Sequence, residues 1–119
     1  MKKSIFAVLV LILAQPALAE HTAFSCVTNS GKTLAVVDGG SHYRYSYGFP
    51  GKPDLVFTNS KRQVQPMCGK YECGVTLTHK GVDYNIAYWG EDLGVTVTKG
   101  GKTLANVACR NNRAQIANF

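Results

Sequence analysis

The stretch Val82-Asp83-Tyr84-Asn85-Ile86-Ala87-Tyr88-Trp89 decides the fold class. Val82, Tyr84, Ile86 and Tyr88 occupy every second position, and Asp83, Asn85, Ala87 and Trp89 fall between them. Successive side chains of an extended strand point to opposite faces, so a period of two describes a half-buried β-strand and conflicts with the longer period of an amphipathic helix. Tyr88 and Trp89 are adjacent and must face opposite ways. Only one of them can enter a given core, which leaves the other for a partner, a covering loop or an interface. Trp89, with Tyr88, is therefore a candidate anchor.

The same alternation recurs on either side. In residues 73–79, Cys73, Val75 and Leu77 oppose Thr76 and Thr78, and in residues 94–99, Val95 and Val97 oppose Thr96 and Thr98. Reversals such as Asn29-Ser30-Gly31-Lys32, Asp38-Gly39-Gly40-Ser41, Pro50-Gly51-Lys52-Pro53 and Lys99-Gly100-Gly101-Lys102 return about every ten residues, a spacing of antiparallel strands joined by tight turns. Further strands are expected at residues 23–28, 33–37, 42–47, 55–59 and 103–109. The reading is all-β: about eight short strands in a small antiparallel barrel or sandwich. Residues 63–70, with Pro66 and little periodicity, read as a loop, and residues 110–119 as a frayed tail or one helical turn.

Lys2 and Lys3 precede an apolar run over residues 5–13 and then Pro16-Ala17-Leu18-Ala19. This is the layout of a cleavable secretory signal over residues 1–19. The run is too short to span a bilayer, which takes about twenty residues. A single β domain over residues 20–119 is expected, periplasmic or secreted. The four cysteines then read as a disulfide framework with three possible connectivities. We favour Cys26 with Cys109, constraining the unfolded chain by about 4 kcal/mol, and Cys68 with Cys73, closing a tight loop that carries Tyr71. Bonding the first strand to the last would favour closure into a barrel.

Thirteen basic residues stand against seven acidic ones. Loss of Lys2 and Lys3 leaves eleven against seven, a formal charge of +4. The basic residues are scattered along the chain rather than blocked, which argues against nucleic acid as a partner. His21, His42 and His79 are far apart and no Cys-x-x-Cys occurs, so neither a metal nor a cofactor is expected. There is no G-x-S-x-G, no H-E-x-x-H and no glycine-rich phosphate loop, and we read the chain as a binding protein rather than an enzyme. The richest segment is His42-Tyr43-Arg44-Tyr45-Ser46-Tyr47-Gly48-Phe49-Pro50-Gly51. Tyr43, Tyr45 and Tyr47 share one strand face and are expected in the core, which would put His42 and Arg44 on the solvent side as candidate contacts.

Phe24-x-Cys26, Gly31-Lys32-Thr33-Leu34-Ala35-Val36, Tyr45-Ser46-Tyr47-Gly48, Lys52-Pro53-Asp54-Leu55 and Gly94-Val95-x-Val97-x-Lys99-x-Gly101-Lys102 before Cys109 together resemble a group of small exported bacterial proteins. In size, signal peptide and first-to-last-strand disulfide the chain is also similar to the periplasmic inhibitors of chicken-type lysozyme, which are small β-barrels. Of the serine- and glycine-rich loop that those inhibitors insert into the enzyme, only Gly39-Gly40-Ser41 remains. A stapled scaffold that presents loops from a rigid frame and carries no catalytic motif leads us to expect a protein that inhibits or neutralises another protein, such as a cell-wall hydrolase or a toxin. A module that binds envelope glycan or lipid through Trp89, the tyrosines and the dispersed cations is the alternative.

Overall fold

The structure, a computed structural model, describes residues 20–70, 72–89, 92–110 and 116–117. Among the described residues ten strands run in chain order: β1 (His21–Val27), β2 (Thr33–Asp38), β3 (His42–Phe49), β4 (Lys52–Ser60), β5 (Gln65–Cys68), β6 (Glu72–His79), β7 (Val82–Trp89), β8 (Asp92–Lys99), β9 (Lys102–Ala108) and β10 (Ile116–Ala117). One turn of 3-10 helix, Lys61–Gln63, follows β4, with the Ser60 hydroxyl accepting from the Arg62 amide. The strands form two antiparallel sheets of order β10-β1-β2-β3-β4 and β5-β6-β7-β8-β9. Each is built on a four-stranded meander, β1 to β4 in the first and β6 to β9 in the second.

The eight expected strands all form, each within a few residues of the expected bounds. Two elements were misread. Gln65–Cys68 is a strand, held in register against residues 73–76 of β6, although Pro66 interrupts any pattern. Proline is tolerated there because β5 is an edge strand with one neighbour. In the tail, Ile116–Ala117 pairs with Phe24 and Ser25 of β1. The expectations for residues 1–19 and for Tyr71 lie outside the described residues, as do the side chains of Tyr88 and Trp89.

The sheets do not close into a barrel; they share one core. Phe24, Leu34, Val36 and Tyr45 from the first sheet meet Val75, Leu77, Ile86 and Val95 from the second. Phe57 stacks on Tyr45 at 4.8 Å and on His79 at 4.7 Å, and Tyr84 tilts against both Tyr45 and Phe57 at 5.1 and 5.0 Å, an aromatic cluster that crosses the interface. The three tyrosines therefore face inward as read, Tyr43 and Tyr45 buried and Tyr47 packed at the margin. Burial pushes the Tyr45 phenol far above its ordinary pKa, so it stays neutral.

Each side of the core is stitched. On one, the buried Asn59 side chain accepts from the Thr78 amide at 2.8 Å and donates to the Thr78 carbonyl at 2.9 Å, so a side chain of β4 satisfies the backbone of β6 where β5 does not reach. On the other, Cys26 is bonded to Cys109, Thr28 bridges Cys109, and the Arg110 amide donates to the Val27 carbonyl at 2.7 Å. Cys68 is bonded to Cys73, its direct partner across the β5–β6 hairpin. Both expected pairings thus form. The bond from Cys26 to Cys109 clasps two open sheets instead of sealing one closed sheet, because β1 spends its edges on β2 and β10.

Candidate functional site

The end of the molecule that carries both disulfides also carries the most exposed aromatic ring among the described residues. The β1–β2 turn, the β3–β4 turn, the Cys68–Cys73 pair and the facing backbone ends of β7 and β8 all lie there, as the registers of the two meanders require. Phe49, the last residue of β3, is 49% exposed. It stands outward because the β3–β4 ladder shifts register between Tyr47 and Gly48, which turns the end of the strand. Only glycine fits at position 48: φ is +151°, and a Cβ would lie 2.5 Å from the Asp54 amide nitrogen.

Beside Phe49 lies a pocket of about 260 Å³ lined by Thr33, Tyr47, Phe49, Pro50 and Pro53, among others. The Lys32 ammonium sits 5.4 Å from the Tyr47 ring centre and 5.6 Å from that of Phe49, and bonds Asp54 at 2.7 Å. The hydrogen bond to Asp54 holds the ammonium above its ordinary pKa, so Lys32 is charged throughout the physiological range. Arg110 reaches the same place: a Cβ built on Gly31 would lie 3.6 Å from its guanidinium and 3.7 Å from Phe49. Phe49, Tyr47, Lys32 and Arg110 form a compact aromatic and cationic patch on a clasped base. Its chemistry suits recognition, with rings offering apolar area and cations offering directional contacts, rather than proton transfer.

A second surface is the outer face of the β5–β9 sheet. Thr76, Asn85, Thr96 and Asn106 stand in one transverse row, each opposite the next. The Thr76 hydroxyl donates to the Asn85 carbonyl oxygen at 2.8 Å, the Asn85 amide donates to the Thr96 carbonyl at 2.9 Å, and the Thr96 hydroxyl donates to Asn106 at 2.8 Å. Next to it runs a row of small residues, Gly74, Ala87, Gly94 and Ala108. Together these rows outline a shallow groove of about 200 Å³. Gly94 is needed in its floor, since a Cβ there would lie 2.4 Å from the Val107 carbonyl.

Of the candidates read from the sequence, Arg44 and His42 lie away from Phe49. Arg44 is half-exposed on the outer face of the first sheet, 3.5 Å from Glu20. His42 starts β3 at the opposite end from Phe49 and packs on the β2–β3 turn, where a Cβ on Gly39 would lie 2.5 Å from its ring. The backbone of β7 sets Trp89 opposite Glu72 and Asp92, and Tyr88 opposite Cys73 and Leu93. Sequence reasoning missed Phe49. Its signal was an aromatic residue directly before Pro50-Gly51, where an apolar side chain at a hairpin tip has no core to enter.

Among the described residues no group of three or more His, Cys, Asp or Glu side chains is placed to hold a metal ion. No described helix is long and apolar enough to cross a membrane. Comparison with protein-family models, with curated proteins and with solved structures found no match.

Proposed function

We propose that this chain is an exported binding protein, periplasmic or secreted, that inhibits or neutralises another protein by presenting the Phe49 end of a stapled β-sandwich. The observation that carries this reading is Phe49 itself, a large ring half in solvent beside a preformed apolar pocket and two cations. Exposed aromatic residues with arginine beside them and a rigid base are the composition of interface hot spots, because little entropy is lost when such a surface is covered. A cell-wall hydrolase such as lysozyme, or a toxin, is the class of partner. Titration of the exported, oxidised protein into a chicken-type lysozyme assay, and into assays of other exported hydrolases, tests it. Inhibition that weakens at least tenfold in Phe49→Ala supports the reading. Failure to slow or bind any of these enzymes overturns it.

A second reading is favoured by the outer-face groove. Uncharged amide and hydroxyl walls over a small-residue floor suit an envelope glycan, and the register position of Trp89 lies one step beyond Ala87 in the same direction along β7. Retention on insoluble peptidoglycan that falls in Asn106→Ala and in Trp89→Ala, and not in Phe49→Ala, would select this reading over the first.

A further inference from the structure

The basic residues that are scattered in sequence are sorted by the fold. The end opposite Phe49 carries the 3-10 turn after β4, the β6–β7 turn and the β8–β9 turn, and with them Arg62, Lys80, Lys99 and Lys102, all exposed. Lys99 and Lys102 face each other across the mouth of one hairpin. Lys80 tops the other, whose strand β7 is the direct neighbour of β8. Adjacent strands are about 4.8 Å apart, so the two hairpin tips lie about 10 Å apart, close to one Debye length at physiological salt. Arg62 belongs to the same end, because Asn59, three residues before it, is bonded to Thr78, two residues before Lys80.

None of these four cations lies within ion-pair distance of a carboxylate among the described residues, whereas Lys61 is held by Asp38 and Lys32 by Asp54. The same pole also carries Glu20, Asp38 and Asp83, which are bonded to Arg44, Lys61 and the Thr78 hydroxyl. Among the described residues Arg62, Lys80, Lys99 and Lys102 are therefore the unpaired positive charge of that pole. Around the lysines the surface is bare: a Cβ built at Gly81, Gly100 or Gly101 would touch nothing.

We propose that this pole docks on the anionic face of a lipid bilayer, leaving the Phe49 end directed away from it. Unpaired cations on three turns of one end match a surface that offers many negative headgroups and no fixed geometry. Nucleic acid is the less suited polyanion. Among the described residues the exposed large apolar side chains are Val27, Phe49, Val56 and Leu104, none of them an aromatic ring among the four cations on which a base would stack. The inference is independent of what Phe49 binds.

Sedimentation of the exported, oxidised protein with vesicles tests it. Vesicles of phosphatidylcholine alone should leave the protein in the supernatant, and vesicles containing phosphatidylglycerol should carry it down at about 50 mM salt and release it at about 500 mM. Each lysine near such a surface contributes roughly fivefold, so Lys80→Gln/Lys99→Gln/Lys102→Gln should partition at least tenfold more weakly, while Lys52→Gln/Lys70→Gln at the other end should match the wild type. Arg62→Gln alone should give a partial loss and guards against an effect of the triple change on folding. Absence of phosphatidylglycerol-dependent binding, equal losses in the variants at the two ends, or tighter binding to duplex DNA than to the vesicles would overturn the proposal. Loss of lysozyme inhibition, with vesicle binding intact, would count only against the Phe49 reading.

Discussion

Two segments of this protein are nearly the same in sequence and opposite in structure. Ser30-Gly31-Lys32-Thr33-Leu34-Ala35-Val36-Val37 and Gly100-Gly101-Lys102-Thr103-Leu104-Ala105-Asn106-Val107 agree at six of eight positions, and both run from a tight turn into a strand. Leu34 is fully buried, while its counterpart Leu104 is 53% exposed. Lys32 is paired with Asp54, while Lys102 stands opposite Lys99. The cause lies in the neighbours. β2 is flanked by β1 and β3 and keeps an unbroken ladder with β3, so Leu34 and Val36 both face the core. β9 has one neighbour, and its ladder with β8 slips between Val97 and Thr98, leaving Leu104 as the extra residue of a bulge. After the bulge the alternation is inverted, Val107 faces in and Asn106 faces out. A bulge on an edge strand also blunts the unpaired edge against another chain. Identical local propensity is thus overruled by one register slip.

This comparison can be broken by exchanging the residues that differ. Val36→Asn would bury an amide without partners and should cost about 4 kcal/mol, roughly half from lost apolar transfer and half from the unsatisfied group; guanidinium unfolding would measure it, and a cost near zero would mean that β2 is not interior. Leu34→Ala should cost about 3 kcal/mol and Leu104→Ala at most about 0.5 kcal/mol. Similar losses for the two leucines would show that Leu104 is packed after all.

Lys61→Met sharpens the contrast between paired and unpaired lysines. The Lys61 ammonium lies 2.8 Å from Asp38 and over the Tyr43 ring, and its loss should cost about 1 kcal/mol at neutral pH, a modest value because the lysine is partly exposed. Burial alone would raise the Asp38 pKa, but the hydrogen bonds from Lys61 and from the Gly40 amide outweigh it and hold the carboxyl below its ordinary 3.8. The contribution is therefore complete above that value and lost as pH falls through the lower folded value. On the alkaline side the hydrogen bond to Asp38 raises Lys61 above 10.5, and the contribution disappears only as pH rises past the folded value. Stability curves of wild type and Lys61→Met should converge at both extremes. Asn106→Val, which makes β9 more like β2, should change stability least, by about 0.5 kcal/mol, and should appear instead as concentration-dependent self-association on sizing chromatography.

The strand content was legible wherever a residue pattern alone dictates exposure. Residues 82–89 and 94–99 alternate cleanly because each of their strands lies between two neighbours with one face on the core. β5 was illegible because Gln65-Pro66-Met67-Cys68 is held by β6 and a disulfide and not by its own period. β10 was illegible because two residues carry no period at all and the free edge of β1 recruits them. Open sheets in place of a barrel follow from the pairing of β1 with β10, and the cross-sheet roles of Asn59 and Cys109 are equally tertiary and leave no mark nearby in the chain. The candidate sites show the same division. Core placement of Tyr43 and Tyr45 followed from parity, whereas the gathering of Lys80, Lys99 and Lys102 required knowing which turns share an end.

The bond between Cys26 and Cys109 joins residues 83 apart. Every described turn from Asn29 to Gly101 falls inside that span, including the exposed hairpins most open to a protease. A single cut in any of them would yield two fragments still tethered through sulfur, migrating as one species on a denaturing gel until a reductant is added. The two fragments of such a nicked form would remain at a high effective concentration for one another, so that reassociation is intramolecular.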